Sequence, residues 1–255
     1  MKRCLYFVSI CILLLPLLLL AQESQDNSAN SSKSNHWESS MDIGAAIYSG
    51  NVDKQDLRGL FSIIRKDELL DFSLDLKSVL SKVDKATKNK EYSLSLKVDY
   101  MPKRKLTPFV LFNAYQNIPK GYDSRYGGYL GAKWVLYKNE GANYSLSAAY
   151  LFEEENFTTE EQNDASKKSA SKLSVRPKIT QSISDAATFD MIAFYVPSFD
   201  DFKDYRFDLD AGIESKLTAK IFMKCAYTLN YVNLPPLADI AKTDQALVMS
   251  IVFKF

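Results

Sequence analysis

Apolar and polar residues alternate along most of the chain between Trp37 and Phe255, and this period of two constrains the fold more than any other feature. A strand places successive side chains on opposite faces, whereas a helix would spread the same residues around its axis. The pattern therefore predicts amphipathic strands with one apolar and one polar face. A clear example is the run of Tyr92, Leu94, Leu96, Val98 and Tyr100, which alternates with Ser93, Ser95, Lys97 and Asp99.

Twelve such runs can be placed, and most have a length that exceeds an ordinary strand and suits a tilted membrane-spanning one. They are 37–48, 55–65, 70–81, 91–101, 106–117, 124–136, 142–154, 170–182, 187–196, 204–215, 218–232 and 243–255. Two prolines, Pro108 and Pro177, fall inside runs and would each remove a ladder hydrogen bond. We expect bulges or strand ends at both.

The connectors between the runs alternate in length. Those on the side of the N-terminus are short, namely 66–69, 102–105, 137–141, 183–186 and 216–217. Those on the other side are mostly longer, namely 82–90, 118–123, 155–169, 197–203 and 233–242, with 49–54 a short exception. Short turns on one side and longer loops on the other are typical of outer-membrane barrels. We predict an all-β fold, a closed antiparallel up-and-down transmembrane β-barrel of about twelve strands.

The size of the barrel indicates which face points outward. Eight strands enclose a space that side chains can fill, whereas twelve enclose a wider lumen in which an apolar lining would leave voids. An apolar belt facing water would aggregate, so we expect lipid outside and a polar, wet interior. A soluble periplasmic barrel that binds an apolar ligand is the alternative.

The polar face carries charges of both signs, and we expect these residues to line the lumen. They are Arg58, Asp75, Lys77, Lys97, Asp99, Arg125, Lys133, Arg176, Lys178, Arg206, Asp208, Asp210, Glu214 and Lys224. Two interpretations remain open. The lumen is either a narrow charged pore that selects solutes, or it is closed by ion pairs and has a structural role.

The N-terminal segment predicts export. Lys2 and Arg3 precede an apolar run, which Ala21 follows, as in a cleaved signal peptide over 1–21. An N-terminal membrane anchor is the alternative. Residues 22–35 are polar and predict a disordered leader, so the barrel would occupy 36–255 and lie in the cell outer membrane. Cys225 would then be the only mature cysteine, in an apolar filler role without a disulfide.

The sequence offers little catalytic chemistry. The single histidine, His36, lies at the edge of the first run without an obvious orienting acid, which argues against a lipid-modifying barrel enzyme, and we expect no enzyme. Acidic residues in two segments predict solvated loops rather than a metal site, namely Glu153, Glu154, Glu155, Glu160 and Glu161, and Asp200, Asp201 and Asp204. We expect no metal and no cofactor. The net charge of +1 argues against nucleic-acid binding.

Several short motifs resemble one known family. Trp37 leads through Gly44 into Ser49-Gly50-Asn51, Arg125 precedes Gly127-Gly128, Arg176 occupies a later inward position, and the chain closes on Phe253-Lys254-Phe255. This arrangement is similar to the YdiY-like family, described as salt-induced outer membrane proteins of unknown function. The resemblance implies an outer-membrane barrel and no established activity.

The resemblance also gives meaning to the C-terminus. Barrels of this kind often end in an aromatic residue that the barrel-assembly machinery reads, which would make Phe253 and Phe255 an assembly signal, although Phe255 could equally be only a lipid-facing residue. The expected surroundings are outer-membrane lipid and lipopolysaccharide. We therefore expect either a narrow passive channel for small polar solutes or a structural envelope component.

Overall fold

The computed structural model describes residues 36–47, 54–83, 87–157, 167–236 and 240–255. The strands are β1 His36–Ile47, β2 Lys54–Lys66, β3 Leu70–Val83, β4 Thr87–Tyr100, β5 Leu106–Asn117, β6 Tyr122–Lys138, β7 Ala142–Phe157, β8 Lys167–Ser184, β9 Ala187–Pro197, β10 Tyr205–Lys216, β11 Ile221–Val232 and β12 Thr243–Lys254. A 3₁₀ helix, η1, spans Ile118–Lys120. The predicted signal peptide, the polar leader, Ser49-Gly50-Asn51, Glu160 and Glu161 lie outside the described residues.

The twelve strands form one closed antiparallel barrel in which each strand pairs with its neighbours in sequence and β1 pairs with β12. This confirms the predicted fold class. Among the described residues, no helix is long and apolar enough to cross a membrane. Closure pairs every strand edge, which lets a sheet exist in lipid.

Around the whole barrel, outward residues of one strand pair with outward residues of the next. This register places the alternating apolar residues outside, where Leu130 and Met249 expose 67% and 60% of their surface. Tyrosines form a belt near the longer loops, where Tyr205 lies 5.8 Å between ring centroids from both Tyr195 and Tyr231. Trp37 and Trp134 are exposed near the short turns. An apolar band flanked by aromatic residues is the surface of a transmembrane barrel, and it excludes the soluble alternative.

Inward glycines let neighbouring strands approach closely. A Cβ on Gly131 would lie 2.4 Å from the Ala148 carbonyl oxygen and 2.5 Å from the Ala149 Cβ. A Cβ on Gly44 would lie 2.6 Å from the Ser250 Cβ. Glycines at such positions let a sheet bend and close, because no side chain separates the strands.

Of the two outcomes predicted at Pro108, a bulge or a strand end, the structure shows no bulge and places the proline near the end of a strand. Pro108 pairs with Ala132 in the regular ladder, near the start of β5 where the loss of one donor is tolerated. At Pro177 the β8–β9 ladder skips from Val175 to Lys178 while the register is unchanged, so this proline interrupts pairing without a bulge. The described bulges lie elsewhere, for example between Tyr115 and Asn117.

Several strands extend further than predicted. β3 ends at Val83 and β4 begins at Thr87, which shortens the expected 82–90 connector to 84–86. β7 runs to Phe157 and β8 begins at Lys167, so the 155–169 loop shortens to 158–166. We call the end of the barrel with connectors 48–53, 84–86, 118–121, 158–166, 198–204 and 233–242 the loop side, and the opposite end the turn side.

The interior is not entirely polar, which differs from the prediction. Inward residues of β5, β6, β7 and β9 form a buried apolar cluster in which Leu151 is completely buried. Its members are Phe109, Leu111, Tyr129, Ala149, Leu151 and Val196, with Phe194 packed against them. Apolar packing thus fills part of the space that the sequence argument left to water.

Candidate functional site in the barrel lumen

The fourteen charged residues named from the sequence all lie on the inner face. The register shows this directly, because directly paired residues of adjacent strands share a face. Arg58 pairs with Val79, two residues from Lys77 on β3, and Glu214 pairs with Lys224 across β10 and β11. Lys178 is exposed although it points inward, so water reaches the lumen on the turn side.

Five charged side chains on the loop side form what we call the loop-side network, namely Arg125, Glu153, Glu155, Lys172 and Arg206. Glu153 is its centre, with a side chain that is 2% exposed. Arg206 donates from Nη1 to Glu153 Oε1 and from Nη2 to Oε2, both at 2.7 Å. Lys172 Nζ donates to the same carboxylate at 2.7 Å. The two parallel hydrogen bonds from the Arg206 guanidinium to the Glu153 carboxylate fix the geometry of this ion pair.

The network links strands that are not neighbours. Glu153 lies on β7 and Arg206 on β10, with β8 and β9 between them in the sheet. Arg125 enters from β6, its Nε 3.9 Å from Glu153 Oε2, and it stacks on Tyr115 with 4.5 Å from Cζ to the ring centroid. The ion pairs therefore extend into the lumen and narrow it.

The prediction that Glu153 and Glu155 belong to a solvated acidic loop is wrong. Both lie on β7, whose alternation continues past the expected end at residue 154, and both face inward. Only Glu154 points outward, where it pairs with Lys167 at 2.9 Å. Asp204 is also not simply solvated, since its Oδ2 lies 2.6 Å from Lys168 Nζ.

A second contact crosses the mouth on the loop side. Lys120, in η1 between β5 and β6, places its Nζ 2.8 Å from Asp244 Oδ2 on β12, on the far side of the barrel. Burial opposes the charge on Lys120, but Tyr115, Asp244 and Glu91 together raise the pKa of its ammonium above the ordinary value. The lysine therefore stays charged at physiological pH and holds η1 across the opening.

Five residues on the turn side form what we call the turn-side cluster, namely Lys97, Asp99, Lys133, Arg176 and Lys178. Asp99 accepts from Lys97 at 2.5 and 2.6 Å and from Lys133 at 3.4 Å. Arg176 lies between two rings, with its Cζ 5.9 Å from the Phe109 centroid and 5.6 Å from that of Phe194. The cluster thus contains four cations and one carboxylate.

Two cavities remain in the lumen. One of ≈ 210 Å³ lies toward the loops and is lined by Tyr122, Glu155, Lys172 and Arg206, among others. A second of ≈ 150 Å³ is lined by Ser93, Asn113, Arg125, Glu153 and Arg206, among others. Arg206 lines both cavities, and Glu153, to which it is paired, lines the second. Within the described part of the chain, the buried Asn113 Oδ1 has no donor, and a water in the second cavity would supply one.

The remaining residues singled out from the sequence lie away from the lumen. His36 is 65% exposed at the start of β1, with its Nε2 3.9 Å from Glu38. Phe253 and Phe255 lie on the outer face, and the Phe255 backbone continues the ladder, its N donating to the Ser39 carbonyl at 2.9 Å. Among the residues that the structure describes, no group of His, Cys, Asp and Glu is placed to hold a metal ion.

The fold and its outer surface define a class, the transmembrane β-barrels. The chain belongs to the family described as "Protein of unknown function, DUF481", which matches residues 41–255. The YdiY-like family is one of outer membrane proteins within DUF481, so the resemblance seen in the sequence is confirmed. No protein of curated function matches the chain.

Solved structures with the same fold are distant in sequence. The NanC porin is 12% identical, with a TM-score of 0.57, and the match covers 84% of this chain and 100% of that one. An outer membrane channel from Pseudomonas putida F1 is 9% identical, with a TM-score of 0.51 and coverages of 90% and 100%. The KdgM porin is 12% identical, with a TM-score of 0.50 and coverages of 85% and 99%. These likenesses show the fold that the chain shares with porins and channels.

Proposed function

We propose that this protein is a narrow passive channel of the outer membrane that lets small polar solutes and ions diffuse through its lumen. The observation that carries the proposal is a pair of cavities in the lumen, of ≈ 210 and ≈ 150 Å³, both lined in part by charged side chains and both lined by Arg206. An interior with a purely packing role would leave fewer polar atoms facing unfilled space.

Two further features of the lumen support this function. Lys178 is exposed on the inner face, so the turn side admits water. Asn113 lines the second cavity, and its buried Oδ1 has no hydrogen-bond donor among the described residues. The ion pairs that cross the lumen restrict passage to small solutes, since they leave only cavities of these sizes.

The outer face supports the location and partners that we propose for the channel. The apolar band and aromatic belts suit outer-membrane lipid and lipopolysaccharide. Phe255 is 64% exposed on this face, where the barrel-assembly machinery could bind the last strand. Export by the predicted signal peptide over 1–21 belongs to the same proposal.

A non-enzymatic role is part of the proposal. His36 lies on the surface at one end of the barrel, and its nearest acidic partner is the exposed Glu38. A histidine that activates a serine needs a buried orienting acid and a nearby hydroxyl. The solved structures that share the fold are named as porins and channels.

A structural role in the envelope is the second candidate. It is favoured by the two contacts that cross the lumen, Arg206 to Glu153 and Lys120 to Asp244. Ion pairs between non-adjacent strands brace a barrel against deformation. In this case the lumen would hold water but pass nothing.

Planar-bilayer recording of the purified protein distinguishes the two candidates. The channel predicts discrete conductance steps in KCl, and it predicts larger steps for the double variant Glu153→Ala/Arg206→Ala, which removes two charged side chains that line the cavities. The matched control is Glu68→Ala/Lys103→Ala, an exposed Glu–Lys pair 3.2 Å apart on the turn side, which should leave the steps unchanged.

Folding must be checked before conductance is interpreted. A closed barrel resists detergent until it is boiled, so each preparation should show a heat-dependent shift in gel mobility. Folded wild-type protein without steps above baseline would contradict the channel and favour the structural role.

A further inference from the structure

The turn-side cluster has more positive charge than its own contacts neutralise. Asp99 is shared by Lys97 and Lys133, at 2.5 and 3.4 Å. Within the part of the chain that the structure describes, Arg176 and Lys178 take part in no hydrogen bond or ion pair, although both have electrostatic neighbours. Two cations on one strand therefore face the lumen without a bound acceptor.

The strand register brings these cations together. Lys133 on β6 pairs with Ser147 on β7, and Ser147 pairs with Arg176 on β8. The small Ser147 side chain leaves space between the two long cations. Lys178 lies two residues further along β8 and so points to the same side. Lys133, Arg176 and Lys178 thus converge on one part of the inner face.

Nearby carboxylates offset this excess only in part. Asp190 and Asp75 are the acidic neighbours of Lys178, and each already accepts from a hydroxyl. Thr180 donates to Asp190 at 2.7 Å, and Ser62 donates to Asp75 at 2.5 Å. The four cations of the cluster stand against three carboxylates, Asp99 within it and Asp190 and Asp75 beside it, so one positive charge remains.

Arg176 is also held in place for binding. The Phe109 and Phe194 rings engage the guanidinium at 5.9 and 5.6 Å from its Cζ. An arginine that stacks on aromatic rings keeps its in-plane N–H groups available for a planar oxyanion, which it can bind with two parallel hydrogen bonds. An ordered arginine also loses less side-chain entropy on binding.

We propose that Arg176, Lys178 and Lys133 form a binding site for small oxyanions, carboxylate or phosphate, on the turn side of the lumen. The inference rests on the proposed function and names its substrate class. Arg176 would bind the oxyanion through two parallel hydrogen bonds, and the ammonium groups of Lys178 and Lys133 would add positive charge beside it. The cavities of ≈ 210 and ≈ 150 Å³ on the path limit the solute to a few heavy atoms.

The test is block of the KCl current by succinate and, in a separate arm, by inorganic phosphate. We expect both to reduce the current through wild-type protein, and Arg176→Gln/Lys178→Gln to weaken the block by about tenfold or more, as expected for lost hydrogen bonds to charged groups. Block by only one of them would narrow the ligand to that class.

The matched control is Lys224→Gln, an inward lysine on β11, three strands away from β8. Succinate and phosphate should block the KCl current through this variant as strongly as through the wild type. Lys178→Gln alone, at an exposed position, covers the case in which the double variant does not fold. Equal block in wild type and in the folded Arg176 and Lys178 variants would overturn the site, and so would an equal loss in Lys224→Gln.

A direct binding measurement separates this inference from the proposed function. If folded wild-type protein shows no conductance, the channel is contradicted, and the site is tested by NMR line broadening of ¹³C-acetate and of phosphate with protein in detergent. Broadening that disappears in Lys178→Gln but persists in Lys224→Gln would support the site. Equal broadening in both variants, or none in the wild type, would overturn it.

Discussion

The loop-side network and the turn-side cluster are built from the same residue types but differ in burial and pairing. In the network, Glu153 and Lys172 have side chains that are 2% and 5% exposed, and Arg206 binds Glu153 through both nitrogens of its fork. In the cluster, Lys133 is 21% exposed and Lys178 is exposed outright. Each network charge has a close partner, whereas two cluster cations have none among the described residues.

This difference assigns the two groups different roles. A buried charge without a partner costs several kcal/mol, so the network is stable only while it is complete. A cation in contact with water bears a much smaller cost and can remain available for a ligand. The loop side therefore braces and narrows the barrel, while the turn side offers charge to passing solutes.

The largest effect should come from removing the centre of the network. Glu153→Ala leaves Arg206, Arg125 and Lys172 without their shared carboxylate, and we expect it to lower the free energy of unfolding by about 3–5 kcal/mol. Urea unfolding in detergent micelles, followed by tryptophan fluorescence, measures this change. The control is the adjacent Glu154→Ala, which removes an outward pair with the half-exposed Lys167 and should cost under about 1 kcal/mol. An equal loss of unfolding free energy in Glu153→Ala and Glu154→Ala would contradict the difference between the inner and outer faces of β7.

A smaller effect compares one lysine from each group. Lys172→Met removes a 2.7 Å bond to Glu153 and should cost about 1–3 kcal/mol, since Arg206 still pairs with the carboxylate. Lys178→Met removes no hydrogen bond and should stay within about 0.5 kcal/mol of wild type. The same unfolding experiment measures both. If Lys178→Met proved the more costly, the turn-side cluster would be structural.

The outer face could be predicted from the sequence because lipid imposes one rule on every strand. Most outward positions that face the lipid are apolar or aromatic, so the period of two survives in runs such as 92–100 and gives the strand count and the closed barrel. Strand ends were less predictable. The inward Glu153 and Glu155 continue the alternation of β7, but three consecutive glutamates suggest a loop when sequence is considered alone.

The inner face could be predicted only in part, because no single solvent sets its composition. Alternation placed all fourteen charged residues inside, because every second residue of a strand points to the same face. It could not show that Glu153 is the partner of Arg206, since contacts between non-adjacent strands depend on barrel curvature and side-chain length. It also missed the apolar cluster around Leu151, whose inward residues interrupt the polar pattern. Small inward residues such as Gly127 and Gly131 were a sequence signal for this cluster, because positions without a side chain leave room for large neighbouring side chains.

The most direct test of the account is cysteine accessibility on the two faces in proteoliposomes. Lys178→Cys and Leu130→Cys would be made with Cys4, Cys11 and Cys225 replaced by Ser, and treated with a charged, water-soluble thiol reagent. We predict rapid labelling of Lys178→Cys from the aqueous phase and labelling of Leu130→Cys only by an apolar reagent. Labelling of Leu130→Cys by the charged reagent, with Lys178→Cys protected, would contradict a polar, water-accessible lumen inside a lipid-facing barrel.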